Sequence, residues 1–200
     1  MSNQEKQARE AVAMDMGGTY INHARCHWPK AKSVGDFLHL VQAFARVIDK
    51  VRRLEYRKAN KSGRKGVKGS RYVLLKNEDN LTDRQRNHLR SILALNETLS
   101  TMYVLKDQLK LLYFYSDRRR VRQALETWSQ MAETIRYPEV KAFVKRLRRH
   151  AYGIVNHADY PIGTSPLEGM NNKIKGSKRK AYGFHDIEYF VLKVKQAFAA

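Results

Sequence analysis

Helix-starting residues recur along positions 82–157 at intervals that leave this stretch little option but a bundle of helices. Thr82 with Gln85 three residues later forms a capping box, opening a helix through Ile92 and Leu95. Asn96 is placed to cap the next, whose apolar stripe is Leu99, Met102, Tyr103, Leu109 and Leu112. Ser116 is placed to cap a third, carrying Val121, Leu125 and Trp128. Pro138 opens a fourth, in the first turn where its missing N–H has no intrahelical partner to lose, with Val140, Phe143, Val144 and Leu147 behind it. The pattern predicts an all-helical unit over 72–157, preceded by a brief extended piece at Tyr72–Leu75.

The beginning of the chain has a different grammar. Residues 4–10 read as the end of a polar helix or a frayed tail. Ala11 to Met16 is a short apolar run interrupted by Asp15, followed by the turn Gly17-Gly18 and a helical stretch from Thr19 to Trp28, stopped by Pro29. Ala31 to Asp36 reads as a second strand, and a long amphipathic helix starts at Phe37 with Leu38, Val41, Phe44, Ala45, Ile48 and Val51 at helical spacing. Strand, helix, strand, helix over 11–56 is an α/β opening. Residues 57–71, RKANKSGRKGVKGSR, hold seven basic residues, three glycines and one aliphatic residue, which predicts a mobile basic loop. From 158 the chain runs through an extended loop into a helix capped by Ser165 with Pro166 at its first position. Gly183 ends that helix, and Asp186 caps a last one through Tyr189, Phe190, Val194 and Phe198.

Charge narrows the partner. Lys and Arg number 39 against 19 Asp and Glu, a net charge of +20. A field of that sign concentrates polyanions, so nucleic acid is the first partner to expect and an anionic membrane the second. One cysteine, Cys26, forms no internal disulfide and no four-Cys zinc site, which fits a reducing cytoplasm. No apolar run approaches a membrane span, and MSNQEKQARE has no signal-peptide core. His23 and His27 share one helix face beside Cys26, but no further ligand has metal-site spacing, so surface histidines and a buried thiol are expected. Tyr113, Phe114 and Tyr115 are expected in the core rather than as base-stacking platforms.

The helix after Ser165 carries the most chemistry. At about 100° per residue, Leu167, Met170 and Ile174 share one arc and predict a packing face. Glu168, Asn171, Asn172, Lys175 and Arg179 share another. A carboxylate in the first turn, then amides, then cations, is a surface suited to a divalent metal beside a phosphate backbone. Equally open on residues alone is a carboxylate that complements the helix dipole, with cations that are merely solvated. Asp15 ends a strand, where α/β sheets place ligands, or opens the glycine turn; both readings stand. For Asp36 the helix cap accounts for the residue. Basic runs at Lys141–His150 and Lys173–Lys180, besides the segment 57–71, favour phosphate binding.

Ser165-Pro166-Leu167-Glu168-Gly169-Met170-Asn171-Asn172-Lys173-Ile174-Lys175 resembles the C-terminal signature of bacterial insertion-sequence DDE transposases of the ISL3 group. Lys178-Arg179-Lys180-Ala181-Tyr182-Gly183-Phe184, Val12-Ala13-Met14-Asp15-Met16 with Tyr20, Asp36 with His39, Val47 to Arg53, and Arg71 to Asn77 fit the same family. The resemblance implies an RNase H-like catalytic fold, here a partial one: a mostly helical α/β chain with a large all-α insertion. It implies Mg²⁺, with Mn²⁺ as a substitute, held by three carboxylates that drive DNA cleavage and strand transfer. Asp15 matches the second carboxylate and Glu168 the third, both as catalytic residues and metal ligands. Asp36 and His39 become supporting residues, and Asn171, Asn172, Lys175, Lys178 and Arg179 face DNA.

Two departures shape the expectation. The family's first aspartate lies on a strand upstream of Asp15 and has no counterpart here. Gly17-Gly18 stands where the family tends to have tryptophan and a small residue, and Gly35 and Phe37 also differ. The expected function is therefore the C-terminal part of a transposase, acting in the bacterial cytoplasm on transposon-end DNA, truncated and not active alone. It would meet further copies of itself or an intact transposase subunit. The strand at 11–16 would expose an unpaired edge. The alternative is a non-catalytic basic remnant that binds DNA or interferes with an intact transposase; a third reading, a structured-RNA binder, leaves the Glu168 face without a purpose.

Overall fold

The computed structural model describes residues 9–199, so most of the 4–10 tail lies outside the described residues; Arg9 and Glu10 are irregular. Strand β1 (Ala11–Met14), helix α1 (Gly18–His27), strand β2 (Lys32–Gly35) and helix α2 (Phe37–Lys58) form the opening. The strands pair in parallel, with Ala11 opposite Lys32 and Met14 opposite Gly35. Helices α3 (Lys61–Val67), α4 (Arg71–Leu75), α5 (Asp83–Leu95), α6 (Glu97–Leu111), α7 (Arg118–Glu133), α8 (Pro138–Arg149) and α9 (Ala151–His157) follow. Then come α10 (Ser165–Lys180) and α11 (Ile187–Phe198). The fold is α/β and mostly helical. It divides into two compact units, one ending at Ile162 and one from Gly163.

In the first unit the local signals hold. Thr82 and Gln85 make both bonds of the capping box. The Asn96 side chain accepts from Leu99 N–H at 2.8 Å, and Pro138 sits in the first turn of α8. Asp36 caps α2 by accepting from His39 N–H at 3.1 Å. The third helix is capped one residue later than expected: Asp117, not Ser116, accepts from Arg119 and Arg120 N–H. A carboxylate at that end also meets the helix dipole, and those backbone bonds hold its pKa down. In α2 the buried stripe is Leu40, Ala43, Phe44, Ile48 and Val51. Leu38, Val41 and Ala45 sit at its margin.

Residues 57–71 are not a loop. Helix α2 runs on to Lys58, Asn60 caps α3 by accepting from Gly63 N–H at 2.9 Å, and Val67 is buried in the core. One apolar anchor and one cap suffice to hold a seven-residue helix against a neighbour, whatever the composition around them. Tyr72–Leu75 is likewise helical, as α4, with Val73 and Leu74 buried. The carbonyls of Leu74 and Lys76 at its end are satisfied by Lys106 Nζ, at 3.0 and 2.9 Å. Lys106 is itself buried inside α6, and burial pushes its pKa down to about 8.

The core lies among α2, α6, α7 and α8. Phe44, Trp128 and Phe143 meet there, with ring centroids 5.2 Å apart for Phe44–Trp128 and 5.0 Å for Phe44–Phe143. Phe114, expected inside, is 81% exposed, because the chain leaves α6 through a short 3₁₀ turn at Leu112–Phe114 that buries only Leu112.

The small sheet is completed by helices. Lys32 N–H bonds Glu10 O and Asp36 N–H bonds Met14 O, so the alternate carbonyls of β2, at Ser33 and Gly35, point away from β1. Asn156 Nδ2 of α9 donates to Ser33 O at 2.9 Å, and Tyr113 Oη donates to Gly35 O at 3.2 Å. Burial holds the Tyr113 phenol well above its ordinary range. The outer edge of β1 has no strand partner among the described residues. Helix α9 approaches β2 so closely that a Cβ on Gly153 would stand 3.0 Å from Gly35 N and 3.3 Å from Gly35 Cα. That backbone is pinned by the ladder and cannot yield. Gly153→Val is expected to cost about 2–3 kcal/mol, read as a lowered urea midpoint at unchanged slope.

In the second unit, Asp186 caps α11 by accepting from Glu188 and Tyr189 N–H. Helix α10 starts after Thr164, which makes no side-chain cap bond to it, so Ser165 is the first helical residue rather than the cap. The packing face expected on α10 is open: Leu167 is 58% and Met170 49% exposed, and α10 and α11 contain no buried residue.

Candidate functional site

Asp15 follows the carboxyl end of β1, half-buried. It lines a pocket of 160 Å³ with Met16, Gly17, His39, Arg46, Arg146 and His150 among its walls. Three elements bring these together: the β1 turn, α2 through His39 and Arg46, and the end of α8 through Arg146 and His150. Two arginines beside one carboxylate make this a place where an anion and a cation can be held side by side. His150 Nδ1 is buried without a hydrogen-bond partner among the described residues. Burial, then the nearby Arg149 and Arg146, lower the His150 pKa, while Asp15 opposes them. The surroundings thus favour the neutral imidazole.

Asp36 is 2% exposed and does not line the pocket. Its Oδ1 accepts from His39 N–H and stands 3.2 Å from His39 Nδ1. It thus caps α2 and orients the ring that reaches the pocket. The pairing of Asp36 with His39 is local, at i and i+3, and was expected only from the family resemblance; the residues alone gave the helix cap. Arg146 and His150 fall in the basic run expected to favour phosphate binding, Arg46 in none, and none of the three was tied to Asp15. Each is one polar residue on an amphipathic helix, and only the packing of α8 against α2 aims them at Asp15.

Glu168 belongs to the second unit, in the first turn of α10, with its N–H donating to Thr164 O at 3.0 Å. Asn171, Asn172, Lys175, Lys178 and Arg179 are all exposed. Asn172, Lys175, Lys178 and Arg179 surround a cavity of 600 Å³ with Tyr182 and Gly183; Asn171 is not among its walls. Cations in the last turn of α10 also face the negative end of its dipole. Lys173 is used differently: its Nζ donates to Ala197 O and lies 4.7 Å from the Phe198 ring centroid, tying α10 to α11.

The basic run on α8 is partly neutralised, since Arg148 pairs with Glu126 and Glu133 of α7. Cys26 is exposed rather than buried, because α1 turns Ile21 and Ala24 inward instead. The His23 and His27 rings lie 4.2 Å apart. Among the described residues, no group of three His, Cys, Asp or Glu side chains is placed to hold a metal ion. The Asp15 pocket thus offers a hard cation one carboxylate and no full ligand set. No helix among the described residues is long and apolar enough to cross a membrane.

A family model described as Transposase, for DDE transposases of the ISL3 group, matches residues 1–194. The transposase for insertion sequence element IS1001 of Bordetella parapertussis is 40% identical over 192 residues, 94% of this chain and 47% of that protein. The transposase for IS1557 of Mycobacterium tuberculosis is 32% identical over 118 residues, 59% of this chain and 26% of the relative. The chain thus spans less than half the length of either. No solved structure matches.

Proposed function

The chain belongs to the ISL3-group transposases, and from that premise we propose that it is the C-terminal part of a DDE transposase that binds transposon-end DNA in the bacterial cytoplasm. One observation carries the reading: α10 presents Glu168 in its first turn and, further along, exposed Asn172, Lys175, Lys178 and Arg179 around one cavity. The cations neutralise phosphates and fix the strand's register. In this reading β1 and β2 belong to an RNase H-like core, and the helices over 72–157 are its insertion. Asp15 and Glu168 are then metal ligands and catalytic carboxylates, with His39 and Asp36 supporting the Asp15 side. A divalent ion such as Mg²⁺ would supply charge neutralisation at the phosphate and an activated oxygen nucleophile.

The reading has one refinement, which rests on the family resemblance. The 200 residues alone bind DNA without efficient strand transfer, and a fuller transposase chain completes the site. The exposed Leu167, Met170, Ile187 and Leu192 on α10 and α11 are apolar surface that such an association would cover.

The test is the salt dependence of binding to duplex DNA. Each phosphate neutralised contributes about −0.9 to the slope of log K against log salt. Replacing Lys175, Lys178 and Arg179 together with glutamine is expected to flatten that slope by about 2.7. An unaltered slope in the triple variant removes α10 as the DNA face; absence of DNA binding by the unmodified chain removes the reading itself.

A further inference from the structure

Tyr182 holds a backbone conformation that side chains avoid. Helix α10 closes with Gly183 N–H donating to Lys178 O at 3.0 Å and Tyr182 N–H donating to Arg179 O at 3.1 Å. These are the two bonds of a Schellman ending, with Ala181 as the cap residue. The position after the cap must turn left-handed, and glycine normally takes it because it has no Cβ to clash with the carbonyl. Here that position is Tyr182, at a φ of 53°, and Gly183 comes one place later, at 107°. A bulky residue in this region is strained, and strain of this kind persists where something else requires the side chain.

Packing does not require it. The Tyr182 side chain is fully exposed, at 102% of its reference area. What the strained turn achieves is placement: Tyr182 lines the 600 Å³ cavity together with Asn172, Lys175, Lys178 and Arg179, with its ring left open to solvent. A flat aromatic face, a carboxamide and three cations are the parts of a single-nucleotide site. The cations hold phosphates on either side, the ring stacks on the base, and the amide can bond a base edge. An acidic peptide would use the cations but has no need of the ring. Inside a duplex each base face is already covered by its neighbours, so the ring can serve only a base that has left the stack.

We propose that Tyr182 is a base-stacking platform, and that the cavity at the C-terminal end of α10 takes an unpaired nucleotide of a DNA strand. This rests on reading α10 as the DNA face and adds what that face distinguishes: distorted or single-stranded DNA from intact duplex.

The test uses the 200-residue chain and two probes: a labelled duplex, and the same duplex with a two-nucleotide bulge containing 2-aminopurine. The unmodified chain is expected to prefer the bulged probe and to quench the 2-aminopurine. Tyr182→Gly should weaken bulge binding by about fivefold or more, given the usual worth of one base–aromatic stack, and lose the quenching. It should leave duplex affinity unchanged. It should also hold or raise the melting temperature, since glycine suits the left-handed position, which separates lost stacking from lost folding. Tyr182→Phe, which keeps the ring, should retain both preference and quenching. If Tyr182→Gly binds and quenches the bulged probe as the unmodified chain does, the platform is refuted while α10 remains a DNA face. If the unmodified chain binds neither probe, the DNA reading fails and the platform with it.

Discussion

Glu168→Gln, made in a transfer-competent ISL3-group transposase that carries this sequence, is expected to lower strand transfer on the order of a thousandfold or more. A bound divalent ion supplies several kcal/mol of charge stabilisation in the transition state, and losing a carboxylate that holds it forfeits much of that. At about 1.4 kcal/mol per tenfold, a loss of about 4 kcal/mol is a factor of a thousand. Glutamine preserves the size and first-turn position of the side chain and removes only its charge. DNA affinity should stay within about threefold, because the exposed cations Lys175, Lys178 and Arg179, proposed to meet the phosphates, are untouched. Asp15→Asn should behave in the same way, since it too removes a charge from a half-buried carboxylate without changing its volume. The decisive pair of measurements is transfer product by gel and affinity by anisotropy on the same DNA. Transfer retained at a tenth of the original rate or better would remove Glu168 from the metal site. Transfer and affinity lost together would make it a binding residue instead.

The features legible in the sequence were those whose cause is local. The caps at Asp36, Thr82, Asn96 and Asp186 were readable because a side chain reaches a backbone N–H only two or three residues away. So was the arc of Glu168 with its amides and cations, because helical periodicity alone sets it. What stayed hidden depends on partners far along the chain. Asn156 and Tyr113 close the β2 edge across 123 and 78 residues. Neither has a local signature that announces the role. Arg46, Arg146 and His150 meet at Asp15 only because α8 packs on α2. The basic segment 57–71 read as a loop since its composition outweighed one valine, yet burial of Val67 is what decides the helix. The strain at Tyr182 was invisible for a related reason. Ala-Tyr-Gly suggests that the glycine takes the left-handed turn, whereas the hydrogen bonds put the tyrosine there first.

Trp128→Ala is the substitution expected to do the most damage to the fold. Trp128 is 2% exposed, and its ring packs against both Phe44 of α2 and Phe143 of α8, with centroids at 5.2 and 5.8 Å. Its indole Nε1–H donates to Leu105 O of α6 at 2.8 Å. One side chain therefore ties α7 to three other helices. Truncation leaves a cavity that these helices cannot close without breaking their own contacts, and the expected cost is about 3–5 kcal/mol. That is a large share of the roughly 5–15 kcal/mol by which a domain is usually stable. For a chain of this size it corresponds to a fall in melting temperature of about 6–20 °C. Trp128→Phe apportions the loss. It keeps an aromatic ring against Phe44 and Phe143 but removes the donor to Leu105, so about 1–2 kcal/mol should go with the hydrogen bond and the smaller volume. The consequence reaches the Asp15 pocket, because α2 and α8 supply His39, Arg46, Arg146 and His150 and are held in register through this aromatic contact. Urea titration of the two variants followed by far-ultraviolet circular dichroism makes the comparison. A Trp128→Ala unfolding free energy within about 1 kcal/mol of the original would mean that α7 is not the keystone between α2 and α8, and that the pocket is held from elsewhere.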